Sequence, residues 1–73
     1  MKYDRNKYVG LEIQLYPGDS VAKYGVIEDL DDLGWTIRVT RVAKSSYRDT
    51  TFEAGETYFI SHSKNLTFRI IED

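Results

Sequence analysis

The sequence predicts an all-β domain in which five short strands curl into a small barrel. Several short runs alternate apolar and polar residues, which is the period-two pattern of strands with one buried face. Turn residues separate these runs at short intervals, and no segment after Lys7 shows the 3.6-residue apolar spacing of a surface helix. A flat sheet of so few strands would expose two edges, and curling it into a barrel removes most of that exposure.

The first predicted strand alternates Val9, Leu11, Ile13 and Leu15 with more polar neighbours. The segment 17–19, Pro-Gly-Asp, ends it, because proline offers no ladder donor and glycine accepts the positive φ of a type II turn. A second strand is expected from about Ser20 to Glu28, with Val21 on one parity and Tyr24 and Val26 on the other. The parity change around Tyr24 and Gly25 predicts a bulge or a sharp bend, which the closure of a small barrel requires.

The second half of the chain supplies three further strands. Residues 29–34 are acidic and end in glycine, so they are expected to form a loop. The predicted strands are 35–40, Thr57–Ser61 and 66–71, and residues 44–51 read as a long exposed hairpin loop. A short helical turn is left open for residues 2–8 or 29–33. The residues expected to share one core are Leu11, Ile13, Trp35, Ile37, Val39, Leu66 and Phe68.

The chain has 73 residues, which leaves room for a single domain, with residues 1–8 loosely ordered. There is no cysteine and only one histidine, so neither a disulfide nor a thiolate metal site can supplement the small core. Neither a metal nor another cofactor is expected. Self-association would add buried surface, and a homodimer is left open.

Neither a membrane span nor a signal peptide is evident in the sequence. Apolar runs stay well short of the roughly 20 residues that span a bilayer, and the charged start is not followed by an apolar segment. We therefore expect a cytoplasmic protein that does not contact a membrane.

Part of the chain resembles a known fold family. Gly18-Asp19-Ser20-Val21, then Gly25-Val26-Ile27-Glu28, then Gly34 with Ile37 and Val39, resemble the strand-bend-strand core of SH3-like barrels of the KOW and Tudor type. The resemblance covers residues 18–39 and implies an SH3-like barrel, with a small OB-like barrel as the alternative. It also implies nucleic-acid binding as a function. The chain departs from the KOW pattern because its first loop lacks the glycine and lysine content and because four acids lie between the strands.

Charge changes sign along the middle of the chain. Residues 26–34 hold four acids and no base, whereas residues 35–52 hold four bases and one acid. The basic stretch also contains an aromatic residue that is expected in an exposed loop. Such a combination can contact an acidic protein surface, or it can follow phosphates and stack a base. The predicted partner-binding residues are Arg38, Arg41, Lys44, Tyr47 and Arg48.

Catalytic and metal sites find little support in the sequence. His62 lies between Ser61 and Ser63, but adjacent residues point in different directions and no third residue is marked to orient a base. We expect a solvated turn there. The acids of 28–32 do not have the spacing of an EF-hand loop, so a solvated loop or a docking surface for a basic partner is the default.

The sequence thus predicts a non-enzymatic binding or adaptor protein, of the accessory or inhibitory kind, which docks on a protein partner through its basic surface. A net charge of −2 disfavours non-specific nucleic-acid binding, which needs a broad positive field. A KOW-like nucleic-acid-binding protein is the alternative. Of the tyrosines, Tyr16, Tyr24 and Tyr58 are expected in the core or at the barrel rim, and Tyr3, Tyr8 and Tyr47 outside the strands.

Overall fold

The computed structural model describes residues 3–18, 21–43 and 52–72. These residues form one antiparallel sheet of five strands, preceded by a single turn of helix. The elements in chain order are α1 (Arg5–Tyr8), β1 (Glu12–Leu15), β2 (Lys23–Leu30), β3 (Gly34–Val42), β4 (Thr57–Ser61) and β5 (Phe68–Ile70). The predicted all-β class is confirmed.

The strand order across the sheet is β4-β3-β2-β1-β5. Strands β1 to β4 form a meander, and β5 returns to pair with β1. Within the described residues β4 and β5 are the two edges, and no Cα of β4 comes within 8 Å of a Cα of β5. The hydrogen-bonded sheet is therefore open between these two strands.

Helix α1 falls within the segment 2–8 for which a helical turn was left open. The Asp4 side chain accepts a hydrogen bond from the backbone N–H of Asn6 at 3.0 Å, which caps the first turn. The backbone is extended at Val9, and Gly10 then takes a φ of 94°. Because this positive φ interrupts the extended chain, the first strand begins at Glu12 and not at Val9 as predicted. The helix has one turn, far short of the length that a bilayer span requires.

The predicted irregularity in β2 is confirmed, but the predicted burial of its residues is wrong. The register with β3 shifts between Tyr24 and Gly25, as expected, and shifts again between Ile27 and Asp29. Burial continues on one parity through Lys23, Gly25 and Ile27, and changes parity only at the second shift. The prediction placed the change of buried parity at Tyr24 and Gly25, one register shift too early. Lys23 is only 2% exposed.

The connection between β2 and β3 is tighter than the predicted loop of residues 29–34. Asp29 and Leu30 belong to β2, and Gly34 belongs to β3. The Asp31 carboxylate accepts hydrogen bonds from the backbone N–H groups of Leu33, at 2.8 Å, and of Gly34, at 3.1 Å. An aspartate that bonds the backbone two and three residues ahead closes a tight turn, so only residues 31–33 lie between the strands. The helical turn left open for 29–33 is absent.

The core lies on one face of the sheet. Its buried residues are Ile13, Leu15, Ile27, Leu30, Trp35, Ile37, Val39 and Ile60. Four of the seven predicted core residues are among them. Leu66 and Phe68 are half-buried and pack against this cluster, whereas Leu11 is half-buried and does not join it. Trp35 lies at one end of the core and contacts the rings of Tyr3, Tyr8 and Phe68.

Candidate functional site

The face of the sheet opposite the core carries three arginines. We define the outer face by Tyr24, Arg38, Arg41, Arg69 and Gln14. In the Cα register Arg69 is opposite Gln14, Gln14 is opposite Tyr24, and Tyr24 is opposite Arg41. Side chains of directly paired residues share a face, so these four form one row across β5, β1, β2 and β3. The row spans about 14 Å, or three strand spacings, from Arg69 to Arg41.

Both arginines of this row are held by neighbours in it. The guanidinium carbon of Arg41 lies 4.2 Å from the centroid of the Tyr24 ring. The Arg69 Nη2 group donates a hydrogen bond of 2.6 Å to the Gln14 side-chain oxygen. A guanidinium that stacks on a ring keeps its N–H donors at its edge, where they can bond a carboxylate or a phosphate. No carboxylate of the described residues pairs with Arg41.

Arg38 lies in the neighbouring row of the outer face, opposite Val26. Its Nε group bonds the Glu28 carboxylate at 2.8 Å, and the two side chains are 46% and 42% exposed. An exposed ion pair of this kind contributes only about 0 to 1 kcal/mol to stability. It nevertheless compensates the charge of Arg38, so Arg41 is the more available of these two cations.

The negative charge of the acidic segment, residues 28–32, is also partly compensated. Arg5 of α1 bonds the Asp29 carboxylate at 2.8 Å, and the backbone N–H of Leu30 donates to the same carboxylate at 2.8 Å. The Leu30 hydrogen bond and then the Arg5 hydrogen bond hold the pKa of Asp29 below its ordinary value. Of the acids in 28–32, Glu28 thus pairs with Arg38 of the basic stretch and Asp29 pairs with Arg5 of α1.

The structure brings together two of the five predicted partner-binding residues, Arg38 and Arg41, which are both exposed on β3. Lys44, Tyr47 and Arg48 lie outside the described residues. Sequence reasoning missed Arg69 and Tyr24 as members of the same face.

Local alternation could have identified Tyr24 as a residue of the outer face, but it could not have identified Arg69. Tyr24 has the opposite parity to buried Ile27 in β2, so an alternation continued unchanged through Gly25 would have placed it on the outer face. The prediction that Tyr24 lies in the core or rim is therefore wrong, whereas Tyr16 and Tyr58 do pack against the core. Arg69 becomes a neighbour only through the pairing of β5 with β1, which no local pattern encodes.

A cleft opens at the Trp35 end of the core. It has a volume of about 570 Å³ and is lined by Tyr3, Asp32, Trp35, His62, Lys64, Asn65 and Leu66. The volume is within the range of small-molecule sites, which are mostly apolar with a few polar groups. Tyr3 and Tyr8 lie outside the strands, as expected, and are half-buried here against Trp35.

His62 lies in the turn after β4, as predicted, but it is half-buried and not fully solvated. Its ring stacks on Tyr3 at a centroid distance of 5.5 Å, and its Nε2 atom is 2.8 Å from the backbone carbonyl oxygen of Asp31. A carbonyl only accepts, so Nε2 bears the hydrogen. The hydroxyl groups of Ser61 and Ser63 bond each other at 3.0 Å. The histidine is thus a structural link between the turn and the amino-terminal segment.

A second aromatic cluster surrounds Lys23. The Nζ atom lies 5.8 Å from the ring centroid of Tyr16 and 5.9 Å from that of Phe52. Phe52 in turn meets Tyr58 edge to face at 4.8 Å. The burial of Lys23 removes it from any docking surface.

The described residues contain no group of three histidine or acidic side chains that could hold a metal ion. No family model, curated protein or solved structure matches the chain.

Proposed function

We propose that this chain is a non-catalytic binding protein that docks on an acidic surface of a protein partner through its outer face. The observation that supports this most is the stack of Arg41 on Tyr24 in a row that also contains Arg69. Arginine and tyrosine are enriched among the residues that dominate binding energy at protein interfaces. The stack presents both, with the guanidinium already oriented by the ring.

An SH3-like barrel is the finer fold that we propose. The described sheet links its five strands through four pairings, β1 with β2, β2 with β3, β3 with β4, and β5 with β1, and we propose that it curls into a barrel without a fifth pairing between β4 and β5. The bulge at Gly25 adds the bend that curls such a sheet. These pairings also fit the resemblance of residues 18–39 to KOW and Tudor domains.

An acidic protein is favoured over nucleic acid as the partner by the charges around the arginines. Glu28 pairs with Arg38, and Glu12 is opposite Val26 in the same row, so acids are interspersed among the bases of the outer face. Nucleic-acid binding gains from releasing many counterions, which needs a continuous positive field. A carboxylate on a protein needs only one well-oriented guanidinium.

A KOW-like nucleic-acid-binding function is the second candidate. Three arginines and a tyrosine on one face could contact phosphates and stack a base. The Tyr24 ring, however, is already covered by Arg41, which leaves less aromatic surface for a base.

A capture experiment tests the proposal. The tagged wild-type chain and its Arg41→Ala and Lys7→Ala variants are incubated with extract of the native host, and captured proteins and nucleic acids are identified. Lys7→Ala is the matched control, because it removes one exposed cation from α1 and leaves the outer face intact. We expect a protein that the wild type and the control retain and that Arg41→Ala loses.

Purified components then decide between the two candidates. The captured protein is titrated against the wild type, beside DNA and RNA of mixed sequence, at low and physiological salt. Nucleic-acid binding at about micromolar affinity or tighter in physiological salt would overturn the protein-partner proposal, because non-specific binding there is about 10⁻⁴ to 10⁻⁶ M even for dedicated binders.

A further inference from the structure

Strand β4 is an edge of the sheet, and its pairing with β3 shows which backbone groups point outward. The N–H of His62 bonds the carbonyl of Leu33, and the N–H of Val39 bonds the carbonyl of Glu56. In an antiparallel pair, every second residue directs its N–H and C=O toward the neighbouring strand. The residues of β4 that direct these groups away from β3 are therefore Thr57, Phe59 and Ser61.

Within the described chain this edge is occupied at its carboxyl end, where the Ser61 carbonyl accepts from the Lys64 N–H at 2.9 Å, and is open at Phe59. Neither the N–H nor the carbonyl of Phe59 bonds a backbone group outside the β3–β4 pair, and β5 is too far away to pair with β4. The Phe59 side chain lies on the outer face, opposite Thr36, and the residue is 55% exposed. An apolar ring and a row of outward-facing backbone groups thus lie on the same strand.

The β4 edge lacks the features by which proteins usually protect edge strands. Its sequence is Thr-Tyr-Phe-Ile-Ser, without a charge or a proline, and its register with β3 has no bulge. The opposite edge, β5, has only three residues and contains Arg69. Uncharged β-branched and aromatic residues on an unprotected edge favour the addition of another strand.

We infer that the β4 edge pairs with the β4 edge of a second copy of this chain, antiparallel about a twofold axis at Phe59. In this arrangement Phe59 is opposite Phe59 of the second copy, and Thr57 is opposite Ser61. The Phe59 pair exchanges two backbone hydrogen bonds. Each Thr57–Ser61 pair contributes one, because the Ser61 carbonyl already accepts from the Lys64 N–H at 2.9 Å, so about four form in all. The two sheets join into one, and the two exposed Phe59 rings become cross-strand neighbours.

A second copy fits this edge because residues of similar type lie at equal distances on the two sides of Phe59 in β4. Hydroxyl residues, Thr57 and Ser61, lie at its two ends, and Tyr58 and Ile60 both lie on the core side between them. The same axis places Glu56 opposite His62 of the second copy, so no like charges face each other along the edge. A twofold interface requires this self-complementarity, which an unrelated strand would have to match by chance.

Solution mass tests the inference. The wild type and the Phe59→Lys and Leu33→Lys variants are measured by light scattering or sedimentation from about 1 to about 300 µM. We expect a dimer for the wild type and a monomer for Phe59→Lys. Leu33→Lys is the matched control, because it makes the same kind of change at a residue that is 71% exposed in the β2–β3 turn, beside His62 but not on the outward side of β4, and it should remain dimeric.

Crosslinking gives a second measurement that does not depend on the lysine variant. Since the chain has no cysteine, Phe59→Cys introduces a single thiol. Directly facing Cα atoms in a hydrogen-bonded antiparallel pair lie about 5.5 Å apart, within disulfide range. Mild oxidation should link Phe59→Cys into covalent dimers rapidly, while Leu33→Cys should stay largely monomeric.

Three results would overturn the inference: a monomeric wild type across the whole range, equal crosslinking of the two cysteine variants, or a larger ring or filament. The proposed function would survive each of them, because the docking test uses Arg41, which lies on β3 and not on the β4 edge.

Discussion

Arg41 stacks on Tyr24 across the β2–β3 pair, with the guanidinium carbon 4.2 Å from the ring centroid. The bulge between Tyr24 and Gly25 makes this contact, because the register shift leaves Tyr24 paired with Arg41 while Gly25 pairs with Val39. Thr40 is thereby left without a directly paired residue in β2. A backbone irregularity thus determines which basic residue is oriented on the outer face.

The first prediction concerns this stack. Arg41→Lys should lower partner affinity by about tenfold or more, nearly as much as Arg41→Ala, because an ammonium cannot stack flat on the ring or bond a carboxylate through two N–H groups. Titration of the captured partner with each variant and with Lys7→Ala measures this. Full affinity in Arg41→Lys would mean that charge alone matters and that the stack does not contribute.

The second prediction concerns Tyr47 and Arg48, which follow β3 in the sequence. Arg48→Ala and Tyr47→Ala should each abolish partner capture, since tyrosine and arginine are the residue types that most often dominate an interface. The measurement is the same pull-down with the Lys7→Ala control. Retention of the partner by both variants would restrict the docking surface to the outer face of the sheet.

The third prediction concerns the glycine at the bulge. A Cβ added at Gly25 would lie 2.8 Å from the Arg38 carbonyl oxygen and 2.9 Å from the Ile37 Cγ2 atom. Gly25→Ala should therefore lower the free energy of unfolding by about 1 to 3 kcal/mol in a urea titration. Gly18→Ala is the control, because a Cβ there meets nothing within 4 Å, and its stability should be close to that of the wild type. Equal stabilities of Gly25→Ala and Gly18→Ala would show that β2 and β3 can move apart around the added Cβ without a loss of stability.

The fourth prediction concerns pH. The Leu30 hydrogen bond and Arg5 lower the pKa of Asp29 in the folded chain below its ordinary value of 3.8. A lowered folded-state pKa adds stability above the unfolded-state value, and this contribution is lost as the pH falls through the folded-state value. Asp29→Asn should therefore be less stable than the wild type at neutral pH, and the difference should shrink below the unfolded-state pKa. Urea titrations of the wild type and the variant at neutral pH and below the unfolded-state pKa measure this difference in stability. A difference that does not change with pH would exclude the Asp29 carboxylate as its source.

Local pattern predicted the elements whose signal is contained in a few neighbouring residues. The fourth strand was predicted with its exact bounds, Thr57–Ser61, because turns flank it on both sides. The irregularity at Tyr24 and Gly25 was visible because the glycine interrupts the alternation. Four of the seven expected core residues are buried, and three of these four alternate within β3, where the local pattern is regular.

What the sequence did not reveal depends on contacts between distant residues. The burial of Lys23 was not predicted, because it depends on rings contributed by Tyr16 and Phe52 from other parts of the chain. The availability of Arg38 was overestimated because the compensating Glu28 lies on the neighbouring strand. Arg69 joined the candidate surface only through the β1–β5 register. Each of these outcomes requires the order of strands, which residue alternation does not contain.

The burial of Lys23 gives the chain a built-in reporter of sheet opening. An amine reagent reaches the exposed side chains of Lys7 and Lys64 directly, whereas the Lys23 amine, in a residue that is 2% exposed, reacts only when the strands around it separate. The modification rate of Lys23, read by peptide mass spectrometry against those of the two exposed lysines, therefore measures how often this part of the sheet opens under native conditions.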